Sequence, residues 1–244
     1  MRGSFYDLGR QAGIQFRKAK WLWTSVAGSE EDAIRAEHGV GRNLASVVLE
    51  QAPTHPDPEL QTWIDGITES LARCVRTEAH RFRVTIVSDP QPTAFALPGG
   101  FIFVAPALVE LCDHDRDELA FAIAHEMAHV IRRHAIDRLL TQTAMSAASL
   151  ASPAARTLAP WIRKVGRQWL ERAYSRDNEF EADELGGFLM RAAGFDPSAA
   201  IRILQRFQAI ECGPDRGGLG VYFSTHPPTV ERIRHLREQL DIPV

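Results

Sequence analysis

Cysteine is scarce in this chain. It occurs three times in 244 residues, at Cys74, Cys112 and Cys212, an odd and widely spaced set with no CxxC pair. That excludes a disulfide framework and a thiolate metal site, and it fits the reduced thiols of a cytoplasmic compartment. Long hydrophobic runs are missing too. No stretch reaches the roughly eighteen uninterrupted apolar residues of a membrane span, and the amino terminus lacks the apolar core of a signal peptide. The expectation is a cytoplasmic protein without a spanning helix. Nor is there an excess of positive charge. Lys and Arg number 28 against 31 Asp and Glu, for a formal net charge of -3, so nucleic acid is excluded as a partner on charge grounds.

One local exception stands at the amino terminus. Residues 1–28 carry Arg2, Arg10, Arg17, Lys18 and Lys20 against a lone Asp7, interleaved with Phe5, Tyr6, Phe16, Trp21 and Trp23. The segment is read as a unit of its own, docked on the body through its aromatics, with peripheral contact to an anionic membrane surface as the alternative. Residues 29–244 show no repeat, no low-complexity tract and no internal boundary, and read as a single domain.

Ser29 followed by Glu30, Glu31 and Asp32 reads as a helix start, and Asp57-Pro58 opens a second helix with Ile64, Ile67 and Leu71 in its buried stripe. Phe82 to Val87 alternates and is β-branched, which predicts a strand. Phe101 to Val104 predicts another beyond the Pro98-Gly99-Gly100 turn, the two being neighbours in a small sheet. The second strand is either an edge strand able to pair with an extended peptide through Phe101, Ile102 and Phe103, or an internal core strand. Asp115, with Glu118 three residues on, resembles a capping box at the start of a further helix. The Ala/Ser/Thr-rich stretch from Thr141 to Ala159 reads as a helix and a mobile connection. Helical pattern resumes from Trp161 through Asp183, Gly194 suits a helix stop, and Asp196-Pro197 opens the next helix. A glycine-rich loop from Cys212 to Gly220 and a charged helix to Leu240 close the chain.

Set in the apolar segment Leu119 to Ile131 is His125-Glu126-Met127-Ala128-His129, an HExxH run. Residues four apart share a helix face, so His125 and His129 can reach one ion, while Glu126, one residue round, faces a water on that ion as a general base. A catalytic zinc needs three protein ligands and one open position. The histidine extension HExxHxxGxxH is absent, since Arg132 and Arg133 follow, which points to a glutamate from another helix.

At these residues the chain resembles the metallopeptidase family of the CaaX prenyl protease, HtpX and the BepA-type proteins, zinc endopeptidases of the gluzincin type. The likeness runs from about Glu30 to Leu240. It is carried by Ala94 to Gly100, then His125 to His129, then Ser175-Arg176 with Glu179, Ala182 and Asp183, and finally Thr225-His226-Pro227-Pro228 with Arg232 beyond. The resemblance implies an α+β, mainly α, zincin-like fold, in which the HExxH helix packs on a small mixed sheet and a second helix supplies a glutamate ligand. It implies one Zn2+ held by His125, His129 and Glu179, with Asp183 bonded to a ligand histidine and Arg232 supporting the site. Glu181 is the rival third ligand, but on a helix it points away from Asp183. His226 is similar to the family's cleft histidine, which either stabilises an oxyanion or occupies the metal and holds the enzyme latent. His134 reads as an outer support of the site or as structural. The family usually has asparagine where this chain has Thr93, which leaves the polarity of the peptide-binding edge open. The implied activity is hydrolysis of peptide bonds in unfolded or misassembled polypeptides, a quality-control role. A chaperone-like module that binds without cutting is the competing class.

Overall fold

Helix α1 (Glu30–Gln51) and helix α2 (Pro58–Ala72) open the described part of the chain. The cap of α2 is the expected one: Asp57 accepts the Leu60 amide at 2.9 Å, and Pro58 occupies the first turn. Ile64, Ile67 and Leu71 form its buried stripe. The computed structural model describes residues 30–76, 80–134, 174–212 and 229–242. The expectations for residues 1–28, for the stretch from Thr141 to Ala159, for the loop after Cys212 and for His226 lie outside the described residues.

Three short strands follow: β1 (Arg83–Ile86), β2 (Ala94–Leu97) and β3 (Phe101–Val104). Their order is β1-β3-β2, with β1 parallel and β2 antiparallel to β3. Between β2 and β3 the chain turns through Gly99 and Gly100, whose φ angles of 77° and 90° lie in the left-handed region that a Cβ disfavours. Side chains alternate faithfully across both faces. Val84, Ile86, Ala94, Ala96, Ile102 and Val104 join the main core, while Val87, Leu97 and Phe103 pack with Leu44 and Ala45 of α1.

One expectation changes here, and one open alternative is decided. Ala94 to Leu97 is a strand that alternation did not flag, because half of its residues are alanine. Through it, β3 becomes the central strand and not an edge. Phe101, Ile102 and Phe103 therefore cannot pair with a peptide: both sides of their backbone are in ladders, Ile102 is in the core, and the two phenylalanines face α1. The strand that borders α4 along a sheet edge is β2.

After β3, a short helix that sequence reading did not separate, α3 (Pro106–Leu111), leads to α4 (Arg116–Ile131). Asp115 caps α4, accepting the amides of Asp117 at 2.8 Å and Glu118 at 3.1 Å. The reciprocal half of the capping box does not form. Glu118 is buried against Arg206 and Arg202, and the Asp115 amide donates instead to the Cys112 carbonyl. Helix α4 is buried from Glu118 through Val130 on nearly every side, so it is the axis of the core and not an amphipathic surface helix.

Three helices close round it: α5 (Arg176–Ala192), α6 (Ser198–Cys212) and α7 (Thr229–Leu240). The part of the helical pattern expected from Trp161 to residue 173 lies outside the described residues, and α5 starts at an N-cap, Ser175, which accepts the Asn178 amide. Helix α5 ends just before Gly194, and Asp196 accepts the Ser198 amide at the start of α6, as expected. Among the described residues no helix is long and apolar enough to cross a membrane. A mainly helical α+β, zincin-like fold with a small mixed sheet is the architecture the motifs implied.

Candidate active site

Helix α4 turns His125, Glu126 and His129 toward α5, and the two helices cross where α5 carries Gly186. A Cβ on Gly186 would lie 3.1 Å from the His125 backbone nitrogen and 3.2 Å from its Cα. The crossing is thus too close for a Cβ to fit without a shift, and it is what brings a carboxylate one helix away within reach of both histidines. Glu179, two turns earlier on α5, is fully buried.

The Nε2 atoms of His125 and His129 stand 3.1 Å apart. Glu179 Oε2 lies 3.5 Å from His125 Nε2, and Oε1 lies 3.3 Å from His129 Nε2. These three donors form a cluster able to hold a metal ion. A divalent ion bound tetrahedrally at about 2.0–2.1 Å sets its donors about 3.3 Å apart. The two histidine nitrogens stand close to that spacing, and each has a different Glu179 oxygen within 3.5 Å, so the residues present fit a metal held by two imidazoles and one carboxylate.

Each histidine is anchored through its other nitrogen. His125 Nδ1 lies 2.9 Å from Asp183 Oδ1. With Nε2 facing the ion point, Nδ1 carries the hydrogen and donates it, which fixes both the tautomer and the ring plane. Asp183 is itself gripped by Arg232 of α7, through Nη2 at 2.6 Å and Nε at 2.8 Å. Burial works against the Asp183 charge, but the Arg232 guanidinium and the His125 hydrogen bond outweigh it and hold the carboxyl down at about 2. Arg232 Nη1 also stands 3.6 Å from Glu179 Oε2. One buried guanidinium therefore serves both buried carboxylates of α5, Glu179 and Asp183. For His125, burial opposes the charged ring, yet the hydrogen bonds to Asp183 and Glu179 raise its pKa to about 9.

His129 is anchored differently. Its Nδ1 meets His134 Nδ1 at 3.0 Å, and His134 Nε2 meets Glu181 Oε2 at 3.2 Å. Glu181, the rival third ligand, is thus turned away from the metal face and held by Arg132 at 3.0 Å. Tyr174 stacks on the His129 ring, with centroids 4.0 Å apart and an interplanar angle of 17°.

Glu126 is buried beside this cluster. Burial is the main force raising its pKa to about 7, with the Glu179 charge adding to it and His125 opposing. The Ala96 amide also bonds the Glu126 carboxylate. That contact follows from the ladder: Thr93 pairs with Ala105 through a 2.9 Å hydrogen bond, so the Ala94 and Ala96 backbone groups point away from β3.

The structure brings together His125, Glu126, His129, Glu179, Asp183 and Arg232, all singled out from sequence, and it does not bring Phe101, Ile102 or Phe103 to the cluster. Sequence reasoning missed Tyr174, the Ala96 amide and Gly186. Only the last left a signal, as half of a Gly186-Gly187 pair inside a helix. Thr93 is buried one residue before β2.

Comparison with known proteins agrees with this geometry. The sequence profile of Peptidase family M48 matches residues 58–240. Mitochondrial metalloendopeptidase OMA1 of Schizosaccharomyces pombe is 34% identical over 161 residues, 66% of this chain and 47% of that protein. The OMA1 of Saccharomyces cerevisiae is 32% identical over 180 residues, 72% of this chain and 50% of its own length. The β-barrel assembly-enhancing protease of Yersinia pestis is 29% identical over 188 residues, 71% of this chain and 38% of that protein. This chain spans about half or less of the length of these relatives. With the profile covering the whole of the metal cluster and its anchors, the chain belongs to peptidase family M48.

Proposed function

We propose that the protein is a zinc-dependent endopeptidase that hydrolyses peptide bonds of unfolded or misassembled polypeptides, with His125, His129 and Glu179 holding the ion and Glu126 moving the proton. The observation that carries this reading is the convergence of two imidazoles and a carboxylate from two helices within reach of one ion, with a buried carboxylate beside them whose pKa is pushed up to about 7. When bound, zinc supplies Lewis acidity, polarising the scissile carbonyl and bringing the pKa of a water toward neutrality. A carboxylate poised near 7 both accepts a proton from the attacking water and returns it to the leaving amine at neutral pH. The Ala96 amide fixes one oxygen of Glu126, leaving the other for that transfer. Asp183 and Arg232 hold His125 in the tautomer that presents Nε2 to the ion.

The outward edge of β2 supports an extended substrate, because its backbone groups other than the Ala96 amide, which Glu126 occupies, can pair with a peptide beside the metal. Pairing of that kind selects segments that are locally unfolded, and it favours an unfolded client over a native one. The names of the relatives, a metalloendopeptidase and an assembly-enhancing protease, are in keeping with such a role. A purely binding module gives no reason for a buried Glu126 hydrogen-bonded at the cluster, and proteolysis is the better reading. His226 carries the oxyanion role of the family resemblance, and latency is its competitor: His226→Ala lowers cleavage in the first case and raises it in the second.

The test is incubation of the zinc-loaded protein with an unfolded polypeptide. Cleavage is expected, it should stop with a chelator, and zinc should restore it. Glu126→Gln should retain one zinc per chain and lose cleavage by at least about a thousandfold, as expected when a general base is removed from a unit that acts together. A Glu126→Gln protein that still cuts overturns the base assignment.

A further inference from the structure

The two histidines of the cluster are backed by chemically unlike partners. Behind His125 stands Asp183, a buried carboxylate gripped twice by Arg232. Behind His129, among the described residues, stands a second imidazole, His134, at 3.0 Å through Nδ1 on both rings. His134 is buried, and its Nε2 reaches Glu181, a residue about half exposed and tied to Arg132. The protonation pattern is forced along the line. If His129 Nε2 faces the ion, its Nδ1 carries the hydrogen, so His134 Nδ1 accepts, His134 Nε2 carries the second hydrogen, and Glu181 Oε2 accepts that. Tyr174, stacked on His129, confines the ring plane that this chain of bonds selects.

We propose that His134 is a positioning residue for His129: a neutral imidazole that accepts from His129 Nδ1 and, through Glu181, ties the metal face of the cluster to the protein surface. The inference rests on the metal-binding reading above and goes beyond it by assigning a role to residues outside the ligand set. The physical reason is the one that makes an outer partner matter for any ligating imidazole. The hydrogen bond excludes the wrong tautomer and removes rotation about χ2, and loss of such a partner costs roughly 10- to 100-fold in metal affinity. Glu181 in turn keeps His134 from presenting a hydrogen at Nδ1, where it would oppose that of His129.

The geometry separates this role from mere packing, because the contact runs through Nδ1. An asparagine places its amide oxygen near the position of a histidine Nδ1, and a glutamine near Nε2. Zinc affinity, measured by competition with a chromophoric chelator, is expected to fall roughly 10- to 100-fold in His134→Phe, which keeps a ring and loses the acceptor. It should recover to within about threefold of the parent in His134→Asn and should not recover in His134→Gln, since only the first restores an acceptor at Nδ1. Should the phenylalanine substitution fold poorly, Glu181→Ala on the half-exposed end gives a second reading, with zinc held about two- to fivefold more weakly, the lower part of the effect of an outer partner. Parent-like affinity in His134→Phe or in Glu181→Ala, or equal losses in His134→Asn and His134→Phe, overturns the proposal. A parent protein that binds no zinc overturns the metal reading itself, so the two failures are distinguishable.

Discussion

Among the residues of the site, Arg232 decides more than its distance from the HExxH run suggests. It is almost fully buried, bonds both oxygens of Asp183 and approaches Glu179. Removing one member of a buried charged set leaves the others uncompensated, and the cost exceeds what the pair contributes when intact. Arg232→Ala is therefore expected to destabilise the metal-free protein by about 3–5 kcal/mol, read from urea unfolding. Arg232→Lys should recover only part of that, because a point charge cannot reproduce the two-pronged grip. A lysine variant as stable as the parent would show that charge alone matters there. Arg232, Asp183 and Glu179 were readable as residues because the family pattern carries them. The Ala96 amide was not, since a main-chain donor leaves no residue type to recognise.

Elements decide how those residues meet. The α4–α5 crossing is set by Gly186, where a side chain would press on the backbone of His125. Gly186→Leu gains about 1 kcal/mol in helix propensity but forces the helices apart. The expected outcome is loss of metal occupancy together with a lower melting temperature, both measured on purified protein. Leucine accommodated with zinc still bound would mean the crossing has slack. At the other end of α4, the Asp115 cap carries a pH dependence whose sign is fixed. Desolvation pushes its pKa up, but the amides of Glu118 and Asp117 and the charge of Arg202 hold it below the ordinary carboxylate range. A group with a depressed folded-state pKa contributes fully above its unfolded value of about 4 and loses that contribution as the pH falls through the folded value. Asp115→Ala should thus cost about 1 kcal/mol at pH 7, and the gap to the parent should shrink below about pH 4. Helix starts such as Asp57 and Asp115 were legible because caps are local chemistry. Strand β2 was not, because Ala94 and Ala96 carry no β-branched signal, and without it the choice between edge and internal positions for β3 stayed open.

For the molecule as a whole, the metal cluster ties the two sides of the core together, α4 and the sheet on one hand, α5 and α7 on the other. An ion that binds only the folded state adds stability by mass action, about 4 kcal/mol at a thousandfold excess over its dissociation constant. For a domain of this size that corresponds to about 8 to 16 °C in melting temperature. Chelation should lower the melting temperature by that order and zinc should restore it, as followed by calorimetry. An unchanged midpoint would mean the described core holds itself without the ion. The sequence alone determined the HExxH pair on one helix face and the caps that start α2 and α4, set by spacing and local hydrogen bonding within a few residues, while the carboxylate on a second helix came from the family pattern it carries. What only the tertiary structure decided is which groups at long range share a point in space. Arg232 on Asp183, Tyr174 on His129, Ala96 on Glu126 and β2 at the edge each depend on packing between elements far apart in the chain, where side-chain periodicity carries no information about partners.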